Sequence, residues 1–174
     1  MGLFQRIFKR QTETPEKLVL IMVVKSAEMV LEERQLTKGA VFEVAIFSSL
    51  HVLRRVKHYC PEHYSEFERK YFRELFLFAD EVGISKMIPG NKTEFLNNRL
   101  EFYGSEINKM KTITGYYPTK MGYNFYKKPL QAQSGDNYDH MELIALTIKI
   151  DELYGVLDEA ANIGMQEMKK QYKK

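Results

Sequence analysis

The sequence predicts an all-α protein: a single-domain bundle of about five main helices with a long aromatic and lysine-rich loop before the last. Three observations carry that expectation. Apolar residues recur at three- and four-residue spacing through most of the chain, which is the helical period. Helix-start and turn signals divide those stretches, namely Thr14-Pro15-Glu16, Cys60-Pro61-Glu62 and Pro89-Gly90. One segment, 111–136, holds Gly115, Pro118, Gly122, Pro129 and Gly135, so no long helix survives there.

The first helix is expected over Pro15 to Arg34. The Thr14 hydroxyl can accept a backbone N–H, Pro15 suits the first helical position, and Glu16 faces the positive end of the dipole. Leu18 to Val24 is apolar without a break, and a helix apolar on all sides is normally buried. This segment is therefore expected to be the one the others pack around. A membrane span needs roughly 20 apolar residues, and Lys25 and Glu28 interrupt this run too early. Glu13, Glu16 and the lack of a small-residue cleavage pattern speak against a secretory leader.

The second helix is expected from Thr37 or Gly39 to Tyr59. Val41, Phe42, Ala45, Val52, Leu53, Val56 and Cys60 form a broad apolar face, and His51, Arg54, Arg55 and His58 lie opposite. These four form a basic stripe able to hold a phosphate or carboxylate, although a solvated face is the blander reading of the same pattern. The third helix follows from Pro61, with Tyr64, Phe67, Tyr71, Leu75, Phe78 and Val82 in one stripe and Gly83 as its stop. Asn91, with Glu94 three residues on, starts a fourth helix carrying Leu96, Leu100, Tyr103, Ile107 and Met110. Arg99 and Glu106 flank that face and are suited to pairing with other helices.

The loop 111–136 contains Thr112 to Tyr117 and Tyr123 to Lys127, two β-prone pieces that suggest a small hairpin. Structureless loops beyond about 12–15 residues are uncommon in compact domains. The last helix is expected from Asp136 or Asn137 to about Lys170. Leu146, Ile150, Leu153, Leu157, Ala160 and Gly164 give it a seam that closes the bundle or, as a second reading, forms a homodimer. Gly164 on that seam permits close helix contact or a kink. Asp151 and Asp158 share a face near Asn162 and read as solvated.

The net charge of +3 is unevenly placed. Residues 1–13 form a basic amphipathic leader with Leu3, Phe4, Ile7 and Phe8 on one side and Arg6, Lys9 and Arg10 around it. It reads first as an apolar turn docked on the chain's own core and second as a short membrane-surface anchor. Ile107 to Gly135 carries five Lys and no acid, and the chain ends with Lys169, Lys170, Lys173 and Lys174. Such segregation favours an anionic partner. The single cysteine excludes an intrachain disulfide and fits a reducing compartment, so the chain is read as cytoplasmic.

Catalytic chemistry has weak support. His58, Cys60 and His63 are the one local cluster that could serve as metal ligands or as nucleophile and base, with the helix start favouring a Cys60 thiolate. Zinc sites ordinarily need four ligands, and the remaining His140 is remote in sequence. None of the four histidines follows a Glu by three residues, as carboxylate-bridged metal bundles require. No phosphate-binding glycine loop or nucleophile elbow is present. No metal and no cofactor is therefore expected, and a non-catalytic chain is favoured over an enzyme.

The favoured reading is a cytoplasmic interaction module that binds a protein partner through the loop 115–128. Its contacts would be Tyr116, Tyr117, Lys120, Tyr123, Phe125, Tyr126, Lys127 and Lys128, since tyrosine is enriched at interfaces. His51, Arg54, Arg55 and His58 are the candidate anion site. Two alternatives stand beside it. One is an anionic-surface binder for nucleic acid or membrane, using the basic termini and loop. The other is a Cys/His-dependent enzyme or metal site around Cys60.

Overall fold

A computed structural model describes residues 14–31, 37–112 and 140–172, with side chains over 14–29, 31, 37–108 and 153–171. Five α-helices account for nearly all of it: α1 Pro15–Val30, α2 Lys38–Tyr59, α3 Pro61–Glu81, α4 Lys92–Thr112 and α5 His140–Tyr172. A short 3-10 turn, Ile84–Lys86, joins α3 to α4. Among the described residues there is no strand. The all-α bundle expected from the periodicity is the fold.

The helix starts form as the sequence chemistry dictates. Thr14 Oγ1 accepts from the Lys17 amide at 3.3 Å, with Pro15 opening α1. Thr37 Oγ1 accepts from the Ala40 amide at 3.1 Å. Asn91 Oδ1 accepts from the Thr93 and Glu94 amides at 2.9 and 3.1 Å, satisfying two donors that a helix start otherwise leaves open. After α3, Gly83 adopts φ +79°, a left-handed conformation that costs other residues more and turns the chain out of the helix. Helix α1 stops at Val30, earlier than the expected Arg34, because Leu31 is extended and buries its side chain.

The central helix is α2, not α1. It packs against α1, α3, α4 and α5, whereas α1 packs chiefly on α5, α2 and α3. Every residue from Gly39 to Ser49 is buried, so this half of α2 has no solvent face. Two polar side chains in it explain why a wheel drawn from the sequence misses this. Glu43 is 0% exposed; Arg99 Nε of α4 donates to its two oxygens at 3.0 and 3.1 Å, and Tyr103 Oη donates to Oε2 at 2.5 Å. Ser49 Oγ donates to the Ala45 carbonyl at 2.6 Å, which leaves it to accept from the buried Tyr71 hydroxyl at 2.7 Å. Arg99 thus pairs across helices as expected.

The remaining core follows the predicted stripes. Phe67, Tyr71, Leu75 and Phe78 of α3 and Val82 at its end are buried, with Tyr64 half-buried near its start. Leu153, Leu157, Ala160 and Gly164 of α5 are buried within the chain itself. Leu146 and Ile150 belong to the same predicted seam, but their side chains lie outside the described residues. Phe47 meets Tyr103 edge-on at 5.8 Å, tying α2 to α4. A single residue, Cys60, separates α2 from α3, and Lys38 Nζ donates to the Val82 carbonyl at 2.8 Å, so the two helices run back along one another. Among the described residues no helix is long and apolar enough to cross a membrane. The predicted leader 1–13 and the loop with its suggested hairpin fall almost wholly outside the described residues.

Candidate functional site

The basic stripe of α2 does not face open solvent as a plain helix surface would. It forms one wall of a pocket of about 420 Å³ lined by His51, Arg54, Arg55, His58, Tyr59, Ile107 and Tyr154. Helix periodicity places the four basic residues on one side, while α4 supplies Ile107 and α5 supplies Tyr154. The pocket therefore combines cations, two tyrosines and an apolar contact, the usual mixture of a binding site.

The four basic residues are not equivalent. His51 Nε2 and Arg55 Nε both approach Asp158 Oδ1 on α5, at 2.7 and 3.2 Å. The His51 ring stacks on Tyr154 with centroids 4.6 Å apart. The Arg55 guanidinium lies 5.1 Å over the Tyr59 ring. Its Nε is buried but lacks an aligned hydrogen bond, so the Asp158 contact is a charge pairing rather than full satisfaction. Arg54 and His58 are exposed and, among the described residues, have no acidic partner within ion-pair distance. His58 meets Tyr59 edge-on at 4.6 Å. Asp158, which reads as solvated in the sequence, in fact pairs with Arg55 and hydrogen-bonds with His51.

A second pocket of about 380 Å³ adjoins the first across Arg55 and Tyr59. Asn162, Met165, Gln166 and Lys169 of α5 complete its lining. The two make a groove between α2 and α5 with exposed basic side chains toward each end, Arg54 and His58 in one pocket and Lys169 in the other. Sequence reasoning found the α2 half. It missed Tyr154 and Lys169 as parts of the same groove and Asp158 as the partner of His51 and Arg55, because local periodicity cannot say which helices become neighbours.

The Cys60 cluster does not assemble. Cys60 is buried at the α2–α3 joint and makes no side-chain cap to α3. Burial pushes its thiol up, outweighing the nearby Lys169 charge that acts the other way, so the thiolate needed for nucleophilic chemistry is disfavoured. His63 Nε2 lies 3.9 Å from Glu62 Oε1, and His58 packs against Tyr59. Among the described residues no three of His, Cys, Asp or Glu converge as metal ligands. The buried Glu43–Arg99–Tyr103 group hydrogen-bonds α2 to α4 and reads as architecture.

The loop candidates Tyr116, Tyr117, Lys120, Tyr123, Phe125, Tyr126, Lys127 and Lys128 lie outside the described residues. No protein-family model, curated protein or solved structure matches the chain, so the use of the groove is read from its chemistry.

Proposed function

We propose that the chain is a non-catalytic binding module that receives an acidic stretch of a protein partner in the α2–α5 groove. One observation carries this. Among the described residues Arg54 and His58 stand exposed on a pocket wall with no acid within ion-pair distance, next to Tyr59 and Tyr154, while their neighbours His51 and Arg55 are already paired with Asp158. Basic side chains of this kind beside aromatic surface favour a carboxylate-bearing segment with apolar or aromatic residues between its charges. The loop 115–128 is a second contact in this proposal, supported by its tyrosine and lysine composition alone. The free, buried Cys60 is consistent with a reducing, cytoplasmic setting.

The test is fluorescence anisotropy with a labelled short peptide whose glutamates are separated by glycine and tyrosine. Saturable binding that weakens with added salt, and is lost in the doubly substituted Arg54→Glu, His58→Glu chain, is the expected result. Absence of binding by the native chain, or equal binding by the variant, overturns the proposal. Both substitutions are at exposed positions, so the variant is expected to melt near the native temperature.

A further inference from the structure

Helices α2 and α4 meet along one seam that runs into the groove. Glu43 pairs with Arg99, Phe47 meets Tyr103 edge-on, and further along Leu50 and Arg54 come against Gly104. These α2 positions recur at four, three and four residues, so they share one face of the helix. A Cβ on Gly104 would stand 3.5 Å from Arg54 Nη2 and 3.7 Å from Leu50 Cδ2, which is ordinary contact. Arg54 is thus exposed, yet its guanidinium rests beside α4 at a point where that helix carries no side chain. Gly104 lies well inside α4, where glycine is less favourable than any residue but proline. Close packing does not demand it: a methyl would fit there, whereas a Cβ on Gly164 would overlap Val19.

We infer that Gly104 is a positioning residue of the groove, leaving open the space in which the Arg54 guanidinium is held for a carboxylate of the partner. The inference rests on the acidic-peptide binding proposed above. A long arginine side chain loses rotamer freedom when it binds, and one already placed against a neighbouring helix loses less. A side chain longer than alanine's at position 104 competes with the guanidinium for the same space. Arg54 is then displaced from the pocket wall that it shares with Ile107 of α4.

The experiment measures anisotropy of the labelled spaced-glutamate peptide with the native chain, Gly104→Ala, Gly104→Leu and Gly104→Gln, beside a thermal melt of each. Gly104→Ala is expected to bind within about twofold of the native chain and to melt higher, since alanine favours the helix and its methyl fits. Gly104→Leu and Gly104→Gln are expected to weaken binding about fivefold, the effect of losing one exposed charge contact. In an Arg54→Ala chain the same two substitutions are expected to weaken binding no further, a result that general damage to the α2–α4 seam would not give. That comparison separates the two causes even where a larger residue lowers the melting temperature. Native-like binding by both larger variants, or equal weakening with and without Arg54, overturns the inference and leaves peptide binding standing. A Gly104→Ala chain that melts lower than the native chain assigns the glycine to helix packing and overturns it too. A native chain that binds no peptide overturns the proposed function and this inference together.

Discussion

Gly164 of α5 lies against Val19 of α1 so closely that a Cβ on the glycine would overlap the valine Cγ2. The two helices meet here without a side chain between them on the α5 side. Gly164→Ala is expected to destabilise the chain by about 1–3 kcal/mol, the usual cost of overfilling a packed core. Urea unfolding measures it. Combining the change with Val19→Ala should cost less than the sum of the two, because the smaller residue removes the overlap.

The buried Glu43–Arg99 pair gives a second prediction. Arg99→Met removes the cation paired with the Glu43 carboxylate, which stays inside the bundle and keeps its Tyr103 hydrogen bond. The expected loss is about 3–5 kcal/mol. A chain carrying Glu43→Leu as well should recover part of that loss, since an apolar pair strands no charge. Chemical denaturation of the two chains, compared at equal slope, decides the matter.

Glu28 sets a pH dependence. Burial raises its carboxyl above the ordinary 4.5, against a smaller lowering by Lys25, and Oε1 is buried without a hydrogen bond. The folded chain therefore holds this proton more tightly than the unfolded chain. Its contribution favours folding below pH 4.5 and is lost as pH rises through the raised folded value. Glu28→Gln should melt higher than the native chain at neutral pH, with the difference shrinking toward acid. An equal difference at both pH values would contradict the assignment.

Tyr71 should ionise well above the ordinary tyrosine value of 10.0, because burial disfavours the phenolate more than the Ser49 contact favours it. Tyr64 behaves alike, since burial and its hydrogen bond to Glu68 both hold the proton. A spectrophotometric titration should show tyrosines that ionise only on unfolding. Tyr71→Phe should cost about 1 kcal/mol, because Ser49 keeps its bond to the Ala45 carbonyl and no donor is stranded.

Much of the fold is local information. The Thr14 and Asn91 caps, Pro61 at its helix start and the Phe67-to-Val82 stripe each depend on residues within a few positions, and each forms as read. The identity of the central helix is not local. Glu43 within Ala-Val-Phe-Glu-Val-Ala-Ile-Phe resembles a solvent-facing acid until Arg99, far along the chain, arrives to neutralise it. An acid inside an otherwise unbroken apolar run was the available signal. The same limit applies to the groove. Spacing alone placed His51, Arg54, Arg55 and His58 together, but nothing near Asp158 announces that it will meet His51 and Arg55. Distant pairs of this kind are settled by which helices pack side by side.

The lone residue between α2 and α3 has one more consequence. With Cys60 as the whole connection, the angular phase of α3 about its axis is locked to that of α2. Each residue added to a helix advances its faces by about 100°. One extra residue after Cys60 would thus move Phe67, Tyr71, Leu75 and Phe78 out of their positions and put Glu66, Lys70, Glu74 and Leu77 in their place. The joint has no slack to absorb the rotation, so this point in the chain should be among the least tolerant of a change in length.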